Sequence, residues 1–109
     1  MRRYVLKVSS DTRRLADALR ALSGLETEYV IGEVRRIILD YCRADEKKVE
    51  ALIRVSYKPE KGRKWSDVYY FLFRIEEECV VATVKRVSGL GRTDPDFIVD
   101  KLLEALLLI

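Results

Sequence analysis

The last sixteen residues of the chain, 94–109, constrain the fold more than any other segment. Asp94 can cap a helix, Pro95 fits the first helical position, and Asp96 adds negative charge at the positive end of the helix dipole. The rest of the segment is almost wholly apolar, and only three residues interrupt it: Asp100, Lys101 and Glu104. A surface helix needs one apolar stripe, so we expect this helix to be covered by the rest of the domain, a second copy, a ligand or a partner.

Composition sets the class of protein. A length of 109 residues predicts one domain, 1–109, and a hydrophobic fraction of 49% is enough for a core, which argues against disorder. Charged residues reach 36% and include thirteen arginines, and dense charge of both signs suits a thermophilic source. The net charge of +3 is a mild basic bias.

The side chains that most often carry catalysis are scarce. The chain has no histidine, the commonest general base and metal ligand. Cys42 and Cys79 lie 37 positions apart and form no CxxC pair, so we expect buried reduced thiols, with a disulfide between neighbouring strands as the alternative. Because no carboxylate pair or nucleophile–base arrangement stands out, we expect no enzyme, no cofactor and no metal.

Two observations predict a cytoplasmic protein that does not enter membranes. The apolar stretch after the basic start of the chain is too short for a secretory signal, and Lys7 interrupts it. No apolar run reaches the ~18 residues of a transmembrane helix.

The spacing of apolar residues predicts most of the secondary structure. Strands are expected at 3–9, 48–58, 67–76 and 79–88, and a helix at 12–22, in addition to the C-terminal helix. Ser9, Ser10 or Asp11 can cap the first helix, and Gly24 can end it. Segment 28–43 fits either a strand or a helix, and the strand is favoured because the following strands need pairing partners. Gly32 with Arg35-Arg36 indicates a bulge or turn there.

The resulting order is β-α-β-β-β-β-α, an α+β fold in which a curved antiparallel sheet is covered on one face by two helices. If 28–43 is helical, the order becomes β-α-α-β-β-β-α. The favoured order resembles, over the whole chain, the topology shared by the TATA-binding-protein half-repeat and the helix-grip ligand carriers. The resemblance lies in topology and helix placement, and it implies a sheet that wraps the long C-terminal helix.

The aromatic strand supplies the first candidate site. Alternation places Tyr69, Phe71 and Phe73 on one face of the strand, and Leu102 and Leu106 project from the apolar C-terminal helix. We expect these five residues to line an interface or a small hydrophobic pocket between sheet and helix. The predicted function is therefore a non-catalytic binding module that forms a homo-oligomer, most simply a dimer, and holds a small hydrophobic ligand.

Basic residues supply the alternative, a nucleic-acid-associated protein. The loop 58–66 carries Lys58, Lys61, Arg63 and Lys64 and ends near the only tryptophan, Trp65. Cations beside an aromatic ring can contact phosphates and stack on a base. Further cations could add to a basic sheet face: Arg35, Arg36, Arg43, Lys85 and Arg86. Adjacent residues of a strand point to opposite faces, so each neighbouring pair contributes one charge to each face.

The glycine-rich loop 89–92 precedes the last helix, where backbone N–H groups can hold phosphate. Asp94 and Asp96 occupy the same helix end and should repel an anion. We therefore expect this loop to be a flexible connection from strand to helix.

Overall fold

The fold is α+β, as the sequence predicts, and consists of two helices and a six-stranded antiparallel sheet that curls into a half-barrel. The computed structural model describes residues 1–30, 33–59 and 65–108. The elements, in chain order, are β1 Arg2–Leu6, α1 Thr12–Leu22, β2 Glu26–Val30, β3 Glu33–Ala44, β4 Lys48–Pro59, β5 Trp65–Ile75, β6 Val80–Ser88 and α2 Pro95–Leu108. Neither helix in these ranges is long and apolar enough to cross a membrane.

The ambiguous segment 28–43 is extended where the structure describes it, at 28–30 and 33–43, so the helical alternative is excluded, and it contributes to two strands rather than one. β2 ends at Val30, and β3 begins at Glu33 and pairs antiparallel with it. Gly32, which indicates a bulge or turn in the sequence, lies outside the described residues. A register shift between Leu39 and Tyr41 then changes the alternation of β3, which is the effect of a β-bulge.

The strand order across the sheet is β1-β6-β5-β4-β3-β2. β2 to β6 follow one another as a meander, and β1 pairs with the last strand, with Leu6 opposite Val80. This pairing places the start of the chain beside the strand that leads into α2. β1 ends at Leu6 rather than at the expected residue 9.

One face of the sheet packs against both helices and forms the core, and we call it the helix-covered face. Alternate residues of β4, β5 and β6 on this face are fully buried: Val49, Ala51, Ile53, Val55 and Tyr57 of β4, Phe71 and Phe73 of β5, and Val80 and Ala82 of β6. From α2 the buried residues are Ile98, Val99, Leu102 and Leu106. The opposite side of the sheet has neither helix on it, and we call it the open face.

The helix ends follow the sequence signals. The Asp11 side chain caps α1 by accepting a hydrogen bond from the Arg14 N–H at 2.8 Å, and Gly24 follows the helix with a positive φ of 97°. Asp94 precedes α2, and its side chain accepts a hydrogen bond from the Asp96 N–H at 3.0 Å. Both cysteines are free thiols and half-buried, so no disulfide joins them.

Candidate functional site

The five residues predicted to form an interface or ligand pocket all lie in the core. Phe71, Phe73, Leu102 and Leu106 have no exposed surface, and the two phenylalanine rings stack with centroids 5.5 Å apart. Tyr69 is 3% exposed, and its hydroxyl donates a hydrogen bond to the Thr93 carbonyl. In this arrangement they hold the sheet to α2, and their role toward a ligand or partner stays a prediction.

The predicted basic loop falls mostly outside the described residues. Lys61, Arg63 and Lys64 belong to the undescribed segment 60–64, and of Lys58 only the backbone is described. Trp65 is described and is half-buried at the start of β5, with its ring 5.9 Å from that of Tyr57. The Arg92 guanidinium lies over the Trp65 ring, 4.0 Å from the ring centroid. Trp65 thus packs against the core rather than standing free.

The open face instead presents an aromatic and apolar row that crosses its four central strands. Tyr41 pairs with Leu52, Leu52 with Tyr70, and Tyr70 with Lys85, so these side chains lie side by side on β3, β4, β5 and β6. Tyr41 is 43% exposed, and Leu52 and Tyr70 are half-buried. Two flat rings are therefore accessible in the middle of the sheet.

Cations surround this row. Among the described side chains, seven project from the open face according to the strand registers: Arg3, Arg36, Arg43, Lys48, Arg54, Arg74 and Lys85. Three carboxylates among the described side chains share the face: Glu26, Asp40 and Glu50. Seven positive against three negative charges leave +4, which exceeds the +3 of the whole chain. The described side chains on the side of the sheet that the helices leave uncovered therefore carry a clear excess of positive charge.

One pair of these cations works against folding. Lys48 lies directly opposite Arg74 on the neighbouring strand, and both are exposed. Like charges in this position destabilise a sheet. By contrast, Arg54 and Asp40 form an ion pair at 2.8 Å. The stability of the sheet therefore does not explain why Lys48 and Arg74 lie opposite each other.

The adjacent basic pairs divide between the two faces, as strand alternation predicts. Arg36 lies on the open face, whereas Arg35 stacks over the Phe97 ring at 3.5 Å on the helix-covered face. Lys85 likewise lies on the open face, and Arg86 shares the opposite face with Tyr69. The sequence analysis did not single out Arg3, Lys48 or Arg54, because their placement on one face depends on strand register and on the bulge in β3.

The phenol of Tyr70 stays neutral at physiological pH. Partial burial raises its pKa above the usual value of 10.0, and the charge of Glu50 and a hydrogen bond to it raise the pKa further. A neutral ring does not repel an anionic partner. It also keeps the stacking surface of the central row uncharged.

The buried carboxylate of Asp67 fixes the loop between β6 and α2. Asp67 is 1% exposed and accepts hydrogen bonds from the Tyr57 hydroxyl at 3.2 Å, the Gly91 N–H at 2.7 Å and the Thr93 N–H at 3.1 Å. Gly89 makes this approach possible, because a Cβ there would come 2.2 Å from the Asp67 Oδ1, and its φ is 95°. Two hydrogen bonds from its backbone to Asp67 therefore tie this loop to β5.

Comparisons of the chain with models of protein families, with curated protein sequences and with solved structures found no match.

Proposed function

We propose that the protein is a non-catalytic binding module that holds single-stranded nucleic acid on its open face. The observation that carries this proposal is the concentration of seven cations around the central row that contains Tyr41 and Tyr70. Lysine and arginine contacts to phosphates supply affinity, and exposed aromatic rings stack on unpaired bases.

Charge favours nucleic acid over a second copy of the chain as the partner of this face. Two copies stacked face to face would bring two surfaces of net positive charge together and add repulsion to the cost of association. A polyanion is attracted by the same surface. The Lys48–Arg74 pair supports this choice, because a phosphate between the two cations would relieve their mutual repulsion.

Binding of a labelled oligothymidylate of roughly 20 nucleotides, followed by fluorescence anisotropy, tests the proposal. Affinity should fall by roughly 10- to 100-fold between about 50 and 200 mM salt, since each phosphate contact releases counterions. The variant Lys48→Gln/Arg74→Gln should bind more weakly and show a smaller salt dependence. The matched control is Arg13→Gln, which removes a charge from the exposed side of α1.

Tyr70 tests the stacking part of the proposal separately. Tyr70→Ala should weaken oligonucleotide binding by roughly 5- to 100-fold, the range expected when one stacked base loses its ring. Tyr70→Phe keeps the ring and should keep the affinity. Equal affinity of the wild type and the alanine variant, or binding that ignores salt, would refute the proposal.

A homodimer is the second candidate, and the exposed end of α2 favours it. Leu107 and Leu108 are 74% and 87% exposed, whereas the preceding turns of the helix are covered by the sheet. Native mass spectrometry, with light scattering at high micromolar concentration, gives the oligomeric state. A dimer that Leu108→Glu converts to a monomer would support this candidate, and a strictly monomeric protein would exclude it.

The remaining expectations from the sequence are also proposals. A helix-grip carrier with a small hydrophobic ligand between sheet and α2 should show a reproducible small-molecule adduct in the same native mass spectra. A thermophilic source should give a melting temperature near or above about 90 °C. A cytoplasmic location fits both the reduced thiols and a nucleic-acid partner.

A further inference from the structure

A cleft opens where the loop before α2 meets the edge of the sheet formed by β1 and β6. Its volume is about 570 Å³, within the ~300–1,000 Å³ typical of small-molecule sites. Its polar lining comes from three separate parts of the chain: Arg2 of β1, Lys85 and Arg86 of β6, and Arg92, Thr93 and Asp94 of the loop. Only Lys85 is shared with the cations of the open face, so the cleft is a second, distinct feature.

The lining of the cleft is strongly cationic. Four cations face a single carboxylate, Asp94, so the lining carries a net charge of +3. Asp94 and Asp96 would repel an anion if they were unpaired, but the Arg2 guanidinium contacts both of them. The Tyr4 hydroxyl also donates a hydrogen bond to Asp96. The Arg2 guanidinium of β1, 92 positions away in sequence from Asp94, thus offsets part of the negative charge at this helix end.

Arg86 reaches the cleft because position 91 has no side chain. A Cβ at Gly91 would lie 1.9 Å from the Arg86 Nη1, so any other residue would displace the guanidinium. Within the part of the chain that the structure describes, Arg86 forms no ion pair. Its charge is therefore available to a ligand, and the loop is shaped to keep it there.

Thr93 provides an independent sign of a missing partner. The residue is 1% exposed, and its backbone is fully used, since its N–H donates to Asp67 and its carbonyl accepts from the Tyr69 hydroxyl. Its hydroxyl is buried and has no hydrogen-bond partner among the described residues. Buried hydroxyls in native proteins are normally paired. A ligand oxygen in the cleft that Thr93 lines would satisfy this one.

We propose that this cleft binds a phosphate group, with Arg86 and Arg92 as the cationic partners and the Thr93 hydroxyl as a neutral donor. Guanidinium groups form paired hydrogen bonds to phosphate oxygens, and several cations around one cleft match a multiply charged anion better than a single carboxylate. The phosphate belongs either to a small phosphate compound or to the 5′ end of a nucleic-acid strand. The site does not depend on the proposed function of the open face.

Titration of the amide NMR spectrum with inorganic pyrophosphate, at constant ionic strength, tests this site. The amide signals of Gly91, Arg92 and Thr93 should shift along a saturable curve. Arg86→Gln should weaken binding by about tenfold or more, since it removes a charge-assisted hydrogen bond. The matched control, Arg13→Gln on the exposed side of α1, removes the same charge and should leave pyrophosphate affinity unchanged.

Thr93→Val gives a second test, because it removes a hydroxyl that the protein itself does not use and keeps the shape of the side chain. It should weaken pyrophosphate binding several-fold in a protein whose other signals are unchanged. Shifts that do not saturate, or equal affinity of Arg86→Gln and Arg13→Gln, would overturn the proposal.

Competition between pyrophosphate and oligonucleotides for the cleft identifies the source of the phosphate. An oligonucleotide with a 5′-phosphate that displaces pyrophosphate, when its 5′-hydroxyl counterpart does not, identifies a strand end as the ligand. If pyrophosphate binds and neither oligonucleotide competes, the ligand is a small phosphate compound. Open-face binding is read separately by anisotropy, so failure of one site is distinguishable from failure of the other.

Discussion

The two faces of β5 carry similar residues, but these residues differ in how deeply they are buried. Tyr69, Phe71 and Phe73 point to the helix-covered face and are almost completely buried, whereas Tyr70 and Leu72, on alternate positions, are only half-buried on the open face. Both sets are aromatic and apolar, so composition does not distinguish them. Packing in the core explains the first set. Packing does not explain the second set, and the cations around it favour a role in binding an anionic partner.

The contrast extends to electrostatics. On the helix-covered face the buried carboxylate of Asp67 is matched by three hydrogen-bond donors. On the open face Lys48 and Arg74 stand opposite each other with like charges. A polar group that is satisfied contributes to folding, and a pair that repels does not. We therefore expect substitutions on the two faces to separate stability from binding.

The largest effect should come from the core side of β5. Phe71→Ala should destabilise the protein by about 3–5 kcal/mol, because it leaves a cavity in a fully buried layer. Tyr70→Ala, one position earlier, should cost about 1 kcal/mol or less. Chemical denaturation followed by circular dichroism gives both values. Equal losses would show that the open face is also packed, and the comparison would fail.

Asp67→Ala should lower the free energy of unfolding by a smaller but still measurable amount. The substitution leaves the Gly91 and Thr93 N–H groups without their acceptor, and each unsatisfied buried group costs about 1–3 kcal/mol. Glu50→Ala, a carboxylate of the open face, is the control and should change stability little. Hydrogen exchange at Gly91 and Thr93 should accelerate in the first variant only, and unchanged exchange there would contradict the role assigned to Asp67.

Arg74→Gln should change stability in the opposite direction. Removing one of two opposed cations should stabilise the sheet by about 0.2–1 kcal/mol at low salt. The gain should shrink at high salt, because the repulsion is screened. Thermal unfolding at two salt concentrations measures it. A loss of stability would mean that Arg74 serves the fold, and the like-charge argument for a polyanion would lose its basis.

The smallest effect concerns pH. A hydrogen bond from the Asp96 N–H, and then the Arg2 guanidinium, lower the pKa of Asp94 below its usual 3.8. A carboxyl with a lowered folded pKa adds stability above its usual pKa and loses it as the pH falls through the folded value. We expect a slight fall in melting temperature below pH 3.8 that Asp94→Asn removes. An NMR titration that puts the carboxyl pKa at or above 3.8 would contradict this assignment.

Local signals in the sequence were sufficient for much of the fold. Asp11 and Asp94 mark the helix starts because capping depends on a few neighbouring residues, and strict alternation in β5 identifies Tyr69, Phe71 and Phe73 as one face. The C-terminal helix is covered by the sheet along Ile98, Leu102 and Leu106, as its apolar pattern requires. These features need only the spacing of residues along one element.

The tertiary structure decided what depends on distant pairing. Strand register, which no single segment encodes, decides three features. They are the antiparallel pairing of β2 with β3, the bulge after Leu39 and the pairing of β1 with β6. Register gathers Arg3, Lys48 and Arg74 on one uncovered face and brings Arg2 and Arg86 to the loop at Thr93. The sequence alone determined most of the elements and the buried sides of β5 and α2, whereas the charged surfaces formed only when distant strands came together.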